Sequence, residues 1–112
     1  MATSTIKQLI APTALSATLT TTLYTVPAST TTMLQGMNIC NTETSAITVS
    51  IFVGTSATIA NALLDAVSFA PGETKLFSFP QTGVTLVAAD QIRGGASAAS
   101  VVAINASGVE VA

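Results

Sequence analysis

Hydrophobic and polar residues alternate over several short stretches, and a period of two is typical of β-strands with one buried face. The clearest stretch is 47–53, with four aliphatic residues on one face and Thr48 and Ser50 on the other. Phe52 interrupts the polar side, so we expect that side to be partly covered too. Further strands are predicted at 19–26, 33–40, near 65–70, 74–79, 84–86 and 101–104.

The stretch 33–40 places Met33 and Met37 on one face, with Leu34 and Cys40 on the other. Methionine fills irregular gaps in cores and also occurs at adaptable interfaces. We expect Met33 and Met37 to face the core. The stretches 84–86 and 101–104 are interpreted as apolar on both faces, which favours central strands or a subunit contact.

Proline and glycine mark the turns. Pro71-Gly72 fits the central positions of a type II turn, because proline presets φ near −65° and glycine accepts a positive φ. Glu73 is then placed to accept hydrogen bonds from the turn backbone. The polar run 41–45 predicts a hairpin loop between the strands at 33–40 and 47–53. The segment 55–65 is expected to be a loop or a single helical turn.

No long segment holds a helical period, and many short strands with turns between them indicate an all-β fold. The sequence predicts one antiparallel β-sandwich or jelly roll of seven or eight strands over residues 16–112. Residues 1–15 carry few strand signals. We expect them to be an N-terminal arm that lies on a neighbouring protein, or a first edge strand.

The low content of charged residues is the most unusual feature of the composition. Charged residues make up 7% of the chain, against roughly 25% in a typical soluble domain, and the net charge is −2. Little repulsion then keeps copies of the chain apart. The favoured interpretation is that an assembly covers much of the surface, and the alternative is a neutral, threonine-rich monomer.

Candidate chemistry is sparse. The chain has no histidine, and Cys40 is its single cysteine, which we expect to be a small buried hydrophobe. Asp65, Glu73 and Asp90 are the carboxylates considered for a hydrolytic pair, and Asp65 and Asp90 are those considered for calcium. Solvated turn residues are the simpler interpretation. The prediction is therefore no enzyme, with no catalytic, cofactor-binding or metal-binding residue and no cofactor.

Partners other than protein are disfavoured. Three basic residues neutralise few phosphates, and the net charge has the wrong sign for nucleic acid. Arg93 is expected to hold a loop or to pair with a carboxylate across an interface, and Gly94-Gly95 after it opens no helix. No apolar run is long enough to cross a membrane as a helix, and no secretory signal is recognised. A single cysteine allows no intrachain disulfide, which fits folding in a reducing cytoplasm.

Four segments, distributed between residues 22 and 112, contain motifs that point to a family: TLYTVPAST (22–30), TMLQGMNICNTETSAITVSIFV (32–53), APGETKLF (70–77) and ASGVEVA (106–112). Their layout resembles small virion proteins encoded among the structural genes of tailed bacteriophages. The shared motifs are structural, so the resemblance transfers no catalytic residue.

The resemblance implies a structural virion component, made in the host bacterial cytoplasm and located in the virion. A capsid decoration or cement protein is the favoured expectation, and the alternative is a tail-fibre or baseplate component with a receptor- or carbohydrate-binding role. The expected partners are further copies of the chain, as a homotrimer or another symmetric oligomer, and the major capsid protein or other virion proteins.

Overall fold

A computed structural model describes residues 3–18, 21–55, 61–79 and 84–112. Nine β-strands lie in these ranges: β1 (Ser4–Ala14), β2 (Thr22–Thr25), β3 (Thr31–Asn41), β4 (Ile47–Gly54), β5 (Ala62–Phe69), β6 (Thr74–Ser78), β7 (Val84–Leu86), β8 (Gln91–Ala96) and β9 (Val102–Val111).

The strands form two antiparallel sheets. Sheet A has the order β1-β9-β3-β6, with the short β7 also paired to β3, and sheet B has the order β2-β8-β4-β5. Strand pairs β1–β9, β2–β8, β3–β6 and β4–β5 therefore follow one another like a long two-stranded ribbon that rolls up into two sheets, which is the jelly-roll topology. The predicted all-β, antiparallel sandwich class is confirmed.

The core lies between the inner faces of the two sheets. Its members are almost all aliphatic, and the largest fully buried side chains are Phe69, Leu15, Leu34, Met37, Ile39, Ile51, Leu86, Ile92, Ile104, Val26, Val49 and Val102. In sheet B the alternation predicted for 47–53 is confirmed, and Phe52 on the opposite side is only 9% exposed. Burial of this apolar surface is the main favourable term in folding.

The turn at Pro71-Gly72 forms as predicted. Gly72 has φ +72°, and the Glu73 amide donates to the Ala70 carbonyl over 3.0 Å. The Glu73 carboxylate accepts in turn from the Ala70 amide at 2.8 Å, which confirms its expected contact with the turn backbone. This turn joins β5 of sheet B to β6 of sheet A, so it carries the chain from one sheet to the other.

The predicted hairpin of 33–40 with 47–53 is wrong, because β3 belongs to sheet A and β4 to sheet B. Asn41 fixes this crossing and is fully buried. Its Nδ2 donates to the carbonyls of Ser45, Phe69 and Ala70 at 3.0–3.2 Å, and its Oδ1 accepts from the Glu43 amide. A polar loop between two strands fits a hairpin and a crossing equally well.

The predicted faces of β3 are wrong at its start, where Leu34 is buried in the core and Met33 lies outside. The cause is a β-bulge between Leu34 and Gly36 in the pairing with β9. One extra residue in a strand exchanges its two faces beyond that point. Met37 faces the core as predicted, and Cys40 is half-buried instead of buried.

Three further features differ from the sequence prediction. Strand β8 was not predicted, because its Gly94-Gly95 pair is typical of a turn. The segment 55–65 lies partly outside the described residues, but from Ala62 onward it is β5 and not a loop. The predicted central position holds for β9, which lies between β1 and β3, and not for β7, which pairs with β3 alone.

Residues 4–14 form β1 at the edge of sheet A, paired with β9. Only Leu9 and Ile10 of this strand are buried. Its first part, 4–8, is exposed on both faces, which explains why the sequence shows no alternation there.

Candidate interaction surface

One polar cluster ties the two sheets together. The hydroxyl of Tyr24, on β2 of sheet B, hydrogen-bonds to Thr32 Oγ1 at 2.8 Å and donates to Glu110 Oε2, both in sheet A. The Lys7 ammonium lies 3.3 Å from both oxygens of Glu110. Strands β1, β2, β3 and β9 are therefore held by one connected network.

The protonation states in this cluster are fixed by its geometry. Burial and the hydrogen bond to Glu110 raise the pKa of Tyr24 to about 12, so its hydroxyl stays protonated as a donor. The bond from Tyr24, helped by Lys7, holds the pKa of Glu110 below its usual value, so the carboxylate stays charged. The protonated Tyr24 hydroxyl and the charged Glu110 carboxylate therefore stabilise each other. We call the cluster of Lys7, Tyr24, Thr32 and Glu110 the clamp, because it joins the two sheets.

The three carboxylates considered from the sequence have separate places. Glu73 caps the turn before β6, and Asp90 accepts from the Val87 amide at 3.0 Å in the turn before β8. Asp65 is exposed on edge strand β5. Among the described residues, no group of three His, Cys, Asp or Glu side chains could hold a metal ion, and no cavity is found.

Arg93 lies on β8, where its Nε donates to Gln91 Oε1 at 2.6 Å. This contact lies within the strand and does not hold a loop. A carboxylate partner for Arg93 in another subunit stays a prediction.

The outer side of sheet A is the most distinctive surface. Residues directly paired across antiparallel strands share a face, so the register identifies its rows. One row runs through Ile6, Val109 and Met33, and another through Asn105, Asn38 and Leu76. We call this surface the neutral face; it comprises Ser4, Ile6, Gln8, Thr31, Met33, Gly36, Asn38, Cys40, Thr74, Leu76, Ser78, Thr85, Ala103, Asn105, Ser107, Val109 and Val111.

The neutral face carries no charged side chain. All eight charged residues lie in the described ranges, and each one is on another part of the molecule. Lys7 and Glu110 point to the inner side of sheet A, and Lys75 reaches over the ring of Phe69 to the Ser68 carbonyl. The others are in loops, in turns or on sheet B: Glu43, Glu73, Asp90, Asp65 and Arg93.

Apolar side chains on this face remain open to solvent. Ile6 is 89% exposed and Leu76 is 76% exposed, and both are large aliphatic residues. Met33 and Val109 beside Ile6 are half-buried. No residue of the neutral face belongs to the buried class, so no described part of the chain covers it.

The outer side of sheet B is different, because the chain covers its centre. Ser50, Phe52 and Gly95 share that side and are all buried. A Cβ atom on Gly95 would lie 2.7 Å from the Thr18 carbonyl oxygen and 2.8 Å from that of Ser16. Residues 16–18, which follow β1, therefore pack directly on sheet B.

Aromatic residues do not contribute an open binding surface. Tyr24, Phe52 and Phe69 are buried, and Phe77 and Phe79 are half-buried against the core. These five are all the aromatic residues of the chain.

Comparison with known proteins found no match to this chain among protein-family models, curated proteins or solved structures. In the described part of the chain, no helix is long and apolar enough to span a membrane.

Proposed function

We propose that this protein is a structural component of a virion, most specifically a capsid decoration or cement protein of a tailed bacteriophage. The neutral face is the observation that carries the proposal. It would bind a neighbouring virion protein and stabilise the particle through contact area. No step of this function requires a catalytic group or a cofactor.

The size of the neutral face suits such a contact. Four strands about 4.8 Å apart and roughly nine residues long give an area of roughly 600 Å². A standard protein–protein interface buries about 800 Å² on each partner. The neutral face with its rim approaches this value. Burial of its apolar side chains favours association by about 25 cal/mol per Å², before the cost of association is subtracted.

Absence of charge also suits a contact that must form many times on one particle. A charged side chain that loses water at an interface needs a partner of opposite sign in the correct position. A face of aliphatic, amide and hydroxyl groups avoids that requirement. Ile6 and Leu76 supply apolar contacts, while Asn38 and Asn105 supply hydrogen bonds.

The fold is compatible with the proposal, and the resemblance in sequence favours it. Jelly rolls occur in viral capsid proteins and in lectins, so the topology suits both candidate functions and does not choose between them. The resemblance of segments 22–30, 32–53, 70–77 and 106–112 to small virion proteins is what favours the virion. Under this proposal, the protein is made in the host bacterial cytoplasm and is located in the assembled particle.

Carbohydrate binding in a tail fibre or baseplate is the second candidate, and no observation favours it. Sugar-binding sites commonly stack an exposed aromatic ring on the sugar. Here the five aromatic side chains pack in or against the core. A glycan array with specific, saturable hits would replace the decoration proposal with this one.

Co-sedimentation tests the proposal. Particles of the phage that carries the gene are prepared without this chain, and purified chain is added at increasing concentration. We expect saturable binding at a fixed number of copies per particle and a higher temperature of particle disruption. Failure to co-sediment with heads or with complete virions would contradict the proposal.

A further inference from the structure

The free edge of β1 has a defined pattern of backbone groups. The amides and carbonyls of Thr3 and Ala112 bond to each other, so this is a hydrogen-bonded pair. Hydrogen-bonded and non-hydrogen-bonded pairs alternate along an antiparallel ladder. In the continuous register from Ser4 to Gln8, the backbone groups of Ser4, Ile6 and Gln8 therefore point away from β9.

These groups face open space in the described structure. Strand β1 is the last strand of sheet A on that side, and no described residue bonds to the outward backbone groups of Ser4, Ile6 or Gln8. At the opposite edge of the sheet, the corresponding position is divided between two short strands, β6 and β7. The β1 edge is regular from residue 3 to residue 8, and its bulges come after Gln8.

We propose that β1 pairs with β1 of a second copy of this chain, antiparallel and on a two-fold axis at Ile6. In this register Ile6 lies opposite Ile6 of the second copy, and Ser4 lies opposite Gln8. The inference rests on the proposed structural function, because it says how one copy extends the neutral face of another. Sheet A of the two copies becomes one continuous sheet.

The pairing is complementary on the neutral face. Ile6, Val109 and Met33 form one row in each copy, and the two-fold axis joins the two rows end to end. Ile6, the most exposed large apolar residue described, then has its equivalent as a direct neighbour. The neutral faces of both copies merge into one surface of twice the area.

The pairing is complementary in charge on the other side of the sheet. Lys7 comes opposite Thr5 of the second copy, and not opposite Lys7, so no like charges meet directly. Thr5 is itself the direct neighbour of Glu110. With strands about 4.8 Å apart, each Lys7 backbone lies roughly 10 Å from that of Glu110 in the other copy, within reach of the two long side chains.

Lysine on an edge strand commonly prevents edge pairing. Here each Lys7 is already neutralised by Glu110 at 3.3 Å, so the pairing does not bring an uncompensated charge to the edge. The contact is smaller than the roughly 1,200 Å² of a stable complex. We therefore expect a dimer that dissociates on dilution, as light scattering at two concentrations would show.

Cysteine cross-linking tests the register. In a Cys40→Ser background, Ile6→Cys places two thiols on backbones about 5.5 Å apart, which is within disulfide range. Ser4→Cys is the matched control on the same edge and face, since equivalent Ser4 positions are about 14 Å apart. We expect oxidation to give covalent dimers of Ile6→Cys and none of Ser4→Cys. A mixture of Ser4→Cys and Gln8→Cys chains should cross-link.

Absence of the Ile6→Cys dimer, or equal cross-linking of Ser4→Cys, would overturn the proposal, as would a wild-type trimer. Ile6→Pro gives a second test, because the lost amide points away from β9 and proline is tolerated at such edge positions. This variant should keep the far-ultraviolet spectrum and be monomeric at every concentration. Neither test uses particles, so a failure here is distinct from a failure of particle binding.

Discussion

The outer faces of the two sheets differ in whether the chain itself covers them. On sheet B the segment that contains Ser16 and Thr18 packs on Gly95, and the centre of the face is buried. On sheet A the equivalent surface is open, uncharged and lined in part by Ile6 and Leu76. Both sheets come from one rolled ribbon, so the difference arises from local sequence and not from topology.

This difference indicates which face is available to a partner. A face covered by its own chain gains nothing from a second cover, whereas an open face with aliphatic side chains gains from burial. The few charged residues are placed accordingly, since every charged side chain lies away from the open face of sheet A.

Gly95→Ala should be the most damaging of these changes. Its Cβ would lie within 2.8 Å of two backbone oxygens, so the covering segment must move, at about 2–3 kcal/mol by analogy with overpacked cores. Gly36→Ala is the matched control on the neutral face, where the nearest atom is 3.7 Å away. Urea unfolding should show little change for this variant. Equal losses for the two variants would mean that sheet B is not closed as described.

Tyr24→Phe should weaken the clamp between the sheets by about 1–2 kcal/mol, because the buried hydroxyl of Thr32 loses its partner. Glu110 loses a donor as well. Denaturant unfolding measures the effect. Phe77→Tyr is a useful control, since it adds a hydroxyl at a half-buried ring outside the clamp. An unchanged midpoint for Tyr24→Phe would show that the clamp does not stabilise the fold.

The clamp also predicts a dependence on pH. The pKa of Tyr24 is raised from 10.0 to about 12, so its contribution is complete below pH 10 and is lost as the pH rises to about 12. The pKa of Glu110 is lowered, so its contribution is present above its ordinary value of 4.5 and is lost in more acidic solution. Thermal unfolding across this range should show both losses. The alkaline loss should be smaller in Tyr24→Phe; an identical alkaline loss would assign it to another group.

Lysine substitutions should have the smallest effect on stability and separate the faces by binding. Leu76→Lys on the neutral face and Thr48→Lys on the outer side of sheet B are both exposed, so each should change the free energy of unfolding by less than about 0.5 kcal/mol. Co-sedimentation should be lost for Leu76→Lys and retained for Thr48→Lys. The reverse result would assign docking to sheet B.

Local features were predictable from the sequence where one short segment contains the whole signal. The period-two pattern located β4 and β6, and Pro71-Gly72 indicated both the turn and the contact of Glu73. Partners in a sheet were not predictable in this way. The pattern shows which residues share a face, but the partner of β3 depends on a crossing that is held by Asn41 through contacts 28 and 29 residues away.

The interaction surface shows the same limit. Low charge indicated an assembly, but the neutral face depends on register across four strands, and the bulge in β3 moves Met33 onto it. The link between Tyr24 and Glu110 joins residues 86 positions apart. Strand β1 lacks alternation in its first part, because residues 4–8 are exposed on both faces. No short window of sequence contains these relations.

Electron cryomicroscopy of decorated particles can identify the docking face, because it shows which surface of each bound copy lies against the particle. The proposed docking predicts that the neutral face, with Ile6, Met33 and Leu76, is buried against virion protein, while the outer side of sheet B faces solvent. Density that places sheet B against the particle, with Ile6 and Leu76 in open solvent, would contradict it.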